Sequence, residues 1–224
     1  MNNTDKLTAR DVRIPAGAVT LPGTLTAPAG CRAVVLFAHG SGSSRLSPRN
    51  RLVAEALQQA GIGTLLFDLL TELEAQDRRN VFDIALLAER LDEARRWLEA
   101  DARPDHAALG YFGASTGAAA ALVAEANNPH RVAAIVSRGG RPDLAGEALA
   151  LVTAPTLLIV GGVDYDVLEL NKEALAQLHS PKRLVVVPGA THLFEEPGTL
   201  EQVAELATGW FVTHLKHAVA AAAR

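Results

Sequence analysis

The sequence predicts an α/β protein in which helices cover both faces of one mostly parallel sheet of about eight strands. Apolar runs of strand length alternate with helical patterns of ten or more residues, the order that right-handed βαβ crossovers require. Several of the runs are continuously apolar and rich in β-branched residues, as buried parallel strands are. Glycine or proline closely follows several of them, which indicates a loop at the strand end.

The first elements follow from local composition. Residues 12–28 combine short apolar pieces with prolines and glycines, which predicts two edge strands joined by a turn. The run at 32–38 predicts a buried strand. Ser47 followed by Pro48 is typical of a helix start, and the pattern over 49–60 gives that helix an apolar face.

The rest of the chain continues the alternation without a repeat or a linker. Residues 71–80 are acidic and polar and predict a loop, and 137–152 have room for one short helix, so no separate lid domain is expected. We therefore expect a single domain over 1–224, with flexible or peripheral ends at 1–11 and 217–224. The predicted strands of this part are 62–70, 106–112, 131–136, 155–160 and 182–187, and the predicted helices are 81–100, 116–127, 167–178 and 200–215.

Composition narrows the class of protein. A hydrophobic fraction of 49 % and a charged fraction of 21 % are typical of a soluble globular chain. The net charge is −4 without a basic block, so no nucleic-acid or membrane partner is expected. Cys31 is the only cysteine, and the first residues lack the pattern of a signal peptide; both observations favour the cytoplasm. We predict no metal or cofactor, and a homodimer is an assembly that the sequence leaves open.

One stretch carries a specific chemical signal. The strand that ends at Phe112 is followed by Gly113-Ala114-Ser115-Thr116-Gly117 and then by an alanine-rich helix. Strand, G-x-S-x-G and helix, in this order, are the context of a nucleophile elbow, a tight turn that lifts a serine hydroxyl above the strand end. The pattern therefore predicts that Ser115 is a nucleophile.

Two further residues complete a constellation with Ser115. An acyl-transfer serine needs a base, a carboxylate that orients the base, and N–H donors for the oxyanion. Asp164 and His192 follow Ser115 in the order Ser, Asp, His, and each lies just after a predicted strand. Because the carboxyl ends of parallel strands share one edge of the sheet, we expect the three side chains to meet there.

These motifs resemble those of the α/β-hydrolases, and most closely the dienelactone-hydrolase-like group. The resemblance extends from about Val12 to Leu215, nearly the whole chain. It implies an α/β-hydrolase fold and a cofactor-free serine esterase. In this enzyme Ser115 is the nucleophile, His192 is the base, and Asp164 is the acidic residue that orients His192. Dienelactone hydrolases proper use a cysteine nucleophile, so Ser115 favours ordinary ester hydrolysis over the dienelactone substrate. The matching residues are 37–42, 113–117, 161–164 with Val167, and 188–194.

The resemblance also implies the oxyanion donors. One is the backbone N–H of Thr116, the residue after the nucleophile, and the second comes from the loop after the third strand. Ser41 is our choice for the second donor, with Gly42 as the alternative. His39 is expected to brace this loop through hydrogen bonds rather than to act as a base.

Alternatives remain open for several of these roles. Asp166 lies two residues from Asp164, and Asp143 follows the sixth strand, so either could be the acid. Glu195 and Glu196 follow His192 closely enough in the sequence to influence its pKa. We interpret His214 and His217 as solvated rather than as metal ligands, because two histidines do not make a metal site.

The loops at the strand ends suggest the substrate. With 4 % aromatic residues and no lid, a long acyl chain would find little apolar surface, which favours a short-chain ester or lactone in a shallow site. Arg138 and Arg141 near the mouth could favour an anionic substrate; the alternative is that they are ordinary surface arginines. A thioesterase, amidase or acyltransferase on the same triad, or a non-catalytic binding module, are the competing functions.

Overall fold

The computed structural model describes residues 7–102 and 107–222. It contains one sheet of eight strands in the order β1-β2-β4-β3-β5-β6-β7-β8, of which β3 to β8 are parallel and β1 and β2 are antiparallel to their neighbours. The fold class predicted from the sequence is confirmed. The strands are β1 Thr8–Ala16, β2 Val19–Ala27, β3 Ala33–Ala38, β4 Gly63–Phe67, β5 Ala108–Ala114, β6 Ala134–Arg138, β7 Thr156–Gly161 and β8 Lys182–Val187.

Helices cover both faces of the sheet. α1 and α6 pack on one face with a cluster around Phe37 and Phe112, whose ring centroids lie 4.8 Å apart. α3 and α4 lie on the opposite face with a second cluster around Tyr111. Burial of these two layers drives the fold. The helices are α1 Pro48–Gln59, α2 Arg78–Val81, α3 Ile84–Trp97, α4 Thr116–Asn127, α5 Tyr165–Gln177 and α6 Thr199–Ala222.

The segment between β4 and α3 differs from the sequence prediction. We expected a loop over 71–80 and a helix from residue 81, but the segment contains a short 3₁₀ turn at Glu74–Gln76 and the single-turn helix α2. α3 begins only at Ile84, because the Asp83 side chain accepts a hydrogen bond from the Leu86 N–H and so caps the helix there. The predicted boundary was wrong because the apolar periodicity continues through a helix break.

The two N-terminal strands also depart from the prediction in one respect. Of these two strands, β1 lies at the edge of the described sheet, whereas β2 pairs with both β1 and β4. Pro22 is tolerated in β2 because the pairing with β4 involves residues 23–26 and begins after it. β1 begins at Thr8, so part of the segment expected to be peripheral belongs to the sheet, whereas residues 1–6 lie outside the described residues.

No separate lid domain interrupts the described residues. The segment between β6 and β7 is a 3₁₀ stretch, Pro142–Leu151, broken at Gly146 with φ of +52°. At the C-terminus α6 continues through residue 222, so most of the predicted peripheral end 217–224 extends the helix. Residues 223–224 lie outside the described part of the chain.

Candidate active site

Ser115 occupies a sharp turn between β5 and α4. Its backbone has φ of +51° and ψ of −121°, a conformation that non-glycine residues rarely adopt. The neighbouring strand holds it there: the Ser115 N–H donates to the Arg138 carbonyl at 3.3 Å, and the Arg141 N–H donates to the Ser115 carbonyl at 3.1 Å. Both bonds are made by the Ser115 backbone and hold the turn in place.

The glycines around Ser115 are required by close backbone approach. A Cβ at Gly117 would lie 2.6 Å from the His39 carbonyl oxygen, and a Cβ at Gly113 would lie 2.6 Å from the Gly117 carbonyl oxygen. In the facing loop, a Cβ at Gly40 would lie 2.9 Å from the Ser115 Cβ. The strand end, the turn and the loop after β3 therefore pack backbone against backbone, which accounts for the G-x-S-x-G spacing.

His192 and Asp164 are in direct contact. Nδ1 of His192 lies 2.7 Å from Oδ2 of Asp164, and the carboxylate is the more buried partner. If Nδ1–H donates to this carboxylate, Nε2 is left as an acceptor, the tautomer that a general base requires. Asp166 lies exposed in the first turn of α5, and Asp143 forms an ion pair with Arg141 at 2.7 Å.

Gly139 links this pair to Ser115. It directly follows Arg138, whose carbonyl accepts the Ser115 N–H. A Cβ on Gly139 would lie 2.9 Å from the His192 carbonyl oxygen and 3.6 Å from Cε1 of its ring. The absence of a side chain at Gly139 thus allows the His192 loop to approach the turn that carries Ser115.

The loop after β3 forms a tight turn beside the Ser115 turn. The Ser43 N–H donates to the Gly40 carbonyl at 3.2 Å, and Gly42 has φ of +69°, as the third residue of a type II turn requires. Within the described residues, neither the Ser41 nor the Gly42 N–H donates to a backbone carbonyl. Thr116 opens α4, where the first N–H groups have no helical acceptor.

His39 braces this loop. Its Nδ1 lies 3.0 Å from the Gly40 carbonyl oxygen, and its Nε2 accepts a hydrogen bond from the Leu69 N–H at 3.1 Å. Because Nε2 is an acceptor, Nδ1 carries the proton and the ring is neutral. Burial lowers the pKa of His39, in agreement with a neutral ring.

A cavity of about 560 Å³ opens beside Thr116. Its walls come from the loop after β3 and from the segment between β4 and α3, including α2. Leu46, Leu70 and Phe82 give it an apolar side, while Arg45 and Asp68 form an ion pair of 2.6 Å on another. The loops after β3 and β4 thus line this cavity, and its volume is in the range of small-molecule sites.

Arg138 and Arg141 have different environments. Arg141 is half-exposed and paired with Asp143, whereas Arg138 is buried, with its guanidinium carbon 5.9 Å from the centre of the Phe194 ring. Burial lowers the pKa of Arg138 to about 10, and the nearby charge of Arg49 contributes to the decrease. Sequence reasoning missed Arg49, because no motif marks a residue that reaches this place from a helix start.

Glu195 and Glu196 make contacts outside the Asp164–His192 pair. The Glu196 carboxylate accepts a hydrogen bond from the Thr191 N–H at 3.0 Å, and Glu195 lies 3.5 Å from Arg49. The ring of His214 packs against Trp210 at 4.3 Å, so it is less solvated than expected, and the side chain of His217 lies outside the described residues. Within the described ranges no three potential ligands cluster as a metal site would require, and no helix is both long and apolar enough to cross a membrane.

Solved structures with this fold include a close relative. A dienelactone hydrolase from Anabaena variabilis is 56 % identical, with a TM-score of 0.91, and the match covers 93 % of this chain and 99 % of that one. The fold is shared at 16 % identity by Est1E from Butyrivibrio proteoclasticus, with a TM-score of 0.78 over 92 % of this chain and 99 % of that one. A dienelactone hydrolase-like promiscuous phosphotriesterase from metagenomic libraries has a TM-score of 0.76 at 19 % identity, over 93 % and 98 % of the two chains.

Curated relatives are longer than this chain. In two strains of Mycobacterium tuberculosis, a protein with the provisional name phosphoribosyl transferase is 62 % identical over 207 residues. Those residues make up 92 % of this chain but 46 % of the relative, so the chain spans about half the length of the curated relatives it matches. No protein-family model matches the chain.

Proposed function

Because the chain belongs to the dienelactone hydrolase family of the α/β-hydrolase fold, we propose that it is a serine hydrolase that cleaves small carboxylic esters or lactones through an acyl-enzyme. One observation carries the proposal: Ser115 lies on a strained strand-to-helix turn, and the paired side chains of His192 and Asp164 approach that turn across Gly139. The transferase name belongs to relatives about twice as long, and the half that they share with this chain has a hydrolase fold.

The mechanism follows from the roles that the geometry supports. Nε2 of His192 takes the Ser115 proton as the hydroxyl oxygen attacks the ester carbonyl, and the same proton then passes to the leaving alcohol. Asp164 holds the imidazole in the productive tautomer and stabilises the imidazolium. Water attacks the resulting acyl-enzyme by the reverse sequence, and releases the acid.

Backbone N–H groups would stabilise the tetrahedral intermediate. The donors in this proposal are Thr116 at the start of α4 and Ser41 or Gly42 in the turn that His39 braces. Each such donor is typically worth about 3 kcal/mol in the barrier. The neighbouring cavity of about 560 Å³ would hold one side of a short-chain ester, and Leu46 and Phe82 would be its apolar contacts.

Intact-mass analysis after treatment with a fluorophosphonate tests the proposal. We expect one adduct on the wild-type protein, mapped to Ser115, and none on Ser115→Ala or His192→Ala. Ser43→Ala is the matched control. Ser43 lies in the neighbouring loop and should not react with the fluorophosphonate, so this variant should still carry one adduct on Ser115. Absence of an adduct on folded wild-type protein would refute the catalytic proposal and favour a non-catalytic binding module.

Product analysis separates ester hydrolysis from the other reactions that the triad supports. Wild-type protein is given a short-chain nitrophenyl ester, the matched thioester and the matched anilide, with and without an added alcohol. We expect the free acid as the main product and the highest kcat/KM for the ester. A dominant thioester activity, or transfer to the alcohol in place of water, would replace the esterase proposal.

A further inference from the structure

Among the residues that the structure describes, Arg138 is a buried cation that has no counter-charge. Its relative exposure is 6 %, and neither Nε nor Nη1 has a hydrogen-bond partner within the described residues. It is the last residue of β6, and its side chain points to the face of α1 and α6, as those of Ala134 and Val136 do. The Phe194 ring lies beside the guanidinium and supplies a weak cation–π contact in place of an anion.

Other buried arginines of the described chain have carboxylate partners. Arg95 is bound by Asp92 and Glu99, each at 2.6 Å. Arg90 is similarly placed between two glutamates. Because an isolated buried charge is costly, this contrast indicates that Arg138 binds a group that the described residues do not supply.

Arg49 adds a second cation at the same place. It lies in the first turn of α1, a helix of 12 residues with no acidic residue in that turn, and its Nε is also buried and unpartnered. Its charge is close enough to depress the pKa of Arg138. Its ion-pair partner Glu195 is 3.5 Å away and 65 % exposed, so it compensates only weakly. The guanidinium groups of Arg138 and Arg49 therefore border one space beside Phe194 and Glu195.

This space adjoins the candidate active site. The Arg138 carbonyl accepts a hydrogen bond from the Ser115 N–H, and the next residue, Gly139, packs against His192. Phe194, which faces the Arg138 guanidinium, lies two residues after His192 in the same loop. A group bound between Arg138 and Arg49 would consequently belong to the same substrate that reacts at Ser115.

We infer that Arg138 and Arg49 form a subsite for a phosphate group, so that the substrate is an ester that also carries a phosphate or phosphonate. The inference rests on the proposed function. A planar carboxylate is served by one guanidinium fork, whereas two guanidinium groups suit a tetrahedral dianion. Arg141 is not part of the subsite, because Asp143 already occupies its guanidinium.

A binding experiment tests the subsite without requiring catalysis. Ser115→Ala protein is heated in sodium phosphate and in sodium chloride of equal ionic strength, alone and combined with Arg138→Met, Arg49→Met or Arg51→Met. Arg51 is the control, because it is an exposed arginine on the same helix. We expect phosphate to raise the melting temperature of Ser115→Ala and of its Arg51→Met combination, and to have no effect on the other two. An equal rise in all four proteins, or no rise in any, would overturn the inference.

A kinetic experiment tests the choice of anion. Three 4-nitrophenyl esters of similar length are compared: 4-phosphonobutanoate, hemiglutarate and pentanoate. In the wild type we expect the highest kcat/KM for the phosphonate, and Arg49→Met should lower the ratio of phosphonate to pentanoate kcat/KM roughly 10- to 100-fold, as expected for loss of a charge-assisted hydrogen bond. Preference for the hemiglutarate would overturn phosphate in favour of a carboxylate, and equal rates on all three would refute any anion subsite.

The two experiments distinguish failure of the inference from failure of the proposed function. If phosphate binds to Ser115→Ala in the arginine-dependent way but the wild type hydrolyses no ester, the subsite stands and the esterase proposal fails. If the esters react but neither the melting temperature nor the kcat/KM ratio depends on Arg138 or Arg49, the esterase proposal stands and the phosphate subsite fails. If Arg138→Met fails to fold, the Arg49→Met variant still provides the test, because Arg49 is partly exposed.

Discussion

Replacing Arg138 by methionine should stabilise the ligand-free protein. Burial and the charge of Arg49 lower the pKa of Arg138 to about 10, between two and three units below the ordinary arginine value. At 1.36 kcal/mol for each pKa unit, the folded state disfavours the charged side chain by roughly 3 kcal/mol. Since both the folded and the unfolded pKa lie above 7, this penalty is fully present at neutral pH.

Part of the gain is offset by lost contacts. The Phe194 ring gives up a cation–π contact worth about 1 kcal/mol, and the packing of the longer side chain is worth about as much again. Methionine fills a similar volume with a flexible apolar chain. We therefore expect Arg138→Met to raise the free energy of unfolding by about 1 kcal/mol, which corresponds to roughly 2–4 °C in melting temperature for a chain of this size.

Chemical and thermal unfolding of the phosphate-free protein would measure the change. Arg95→Met is the matched control, because it removes an equally buried arginine that binds Asp92 and Glu99. It should cost about 3 kcal/mol, since it removes two short ion pairs from a buried position. A loss of more than about 1 kcal/mol in Arg138→Met would mean that the guanidinium has a stabilising partner in the folded chain, and would refute the reasoning.

Three further predictions concern the candidate site. Asp164→Asn should lower kcat about 10⁴-fold, because the wrong imidazole tautomer is favoured, while Asp166→Asn should leave ester hydrolysis nearly unchanged; equal losses would refute the assignment of the acid. Gly117→Ala should lose several kcal/mol of stability in a urea titration, because its Cβ meets the His39 carbonyl oxygen, and a wild-type midpoint would contradict that geometry. Because burial lowers the pKa of His39, the free energy of unfolding should fall as the pH drops below about 6.5, and it should fall less in His39→Gln, which can form both hydrogen bonds; identical pH profiles would exclude His39 as the cause.

The sequence predicted the features that depend on local pattern. The continuous apolar run that became β3 and the Ser47-Pro48 start of α1 were both located correctly, because burial and capping act over a few neighbouring residues. The order Ser115, Asp164, His192 predicted three residues at one sheet edge, since parallel strands bring their carboxyl ends together. The contact between Asp164 and His192 is consistent with that prediction.

Features that depend on tertiary distance could not be predicted. Arg138 and Arg141 look equivalent in the sequence, and only the fold buries one and pairs the other with Asp143. Arg49 reaches the Glu195 loop across 146 residues of chain, which no local pattern encodes. The start of α3 was misplaced because Asp83 caps the helix inside an uninterrupted apolar periodicity.

The His192 loop depends on the strand at the margin of the sheet. β8 pairs only with β7 within the described sheet, and the loop that follows it carries His192 before the chain enters α6. An edge strand opens at lower free energy than the central strands. Separation of β8 from β7 would move the His192 imidazole away from Ser115, whereas Ser115 would stay in place because it is fixed between the interior strand β5 and α4. The reactivity of Ser115 towards a fluorophosphonate should therefore be lost before the core unfolds. Loss of labelling would then report local unfolding of β8 rather than global unfolding.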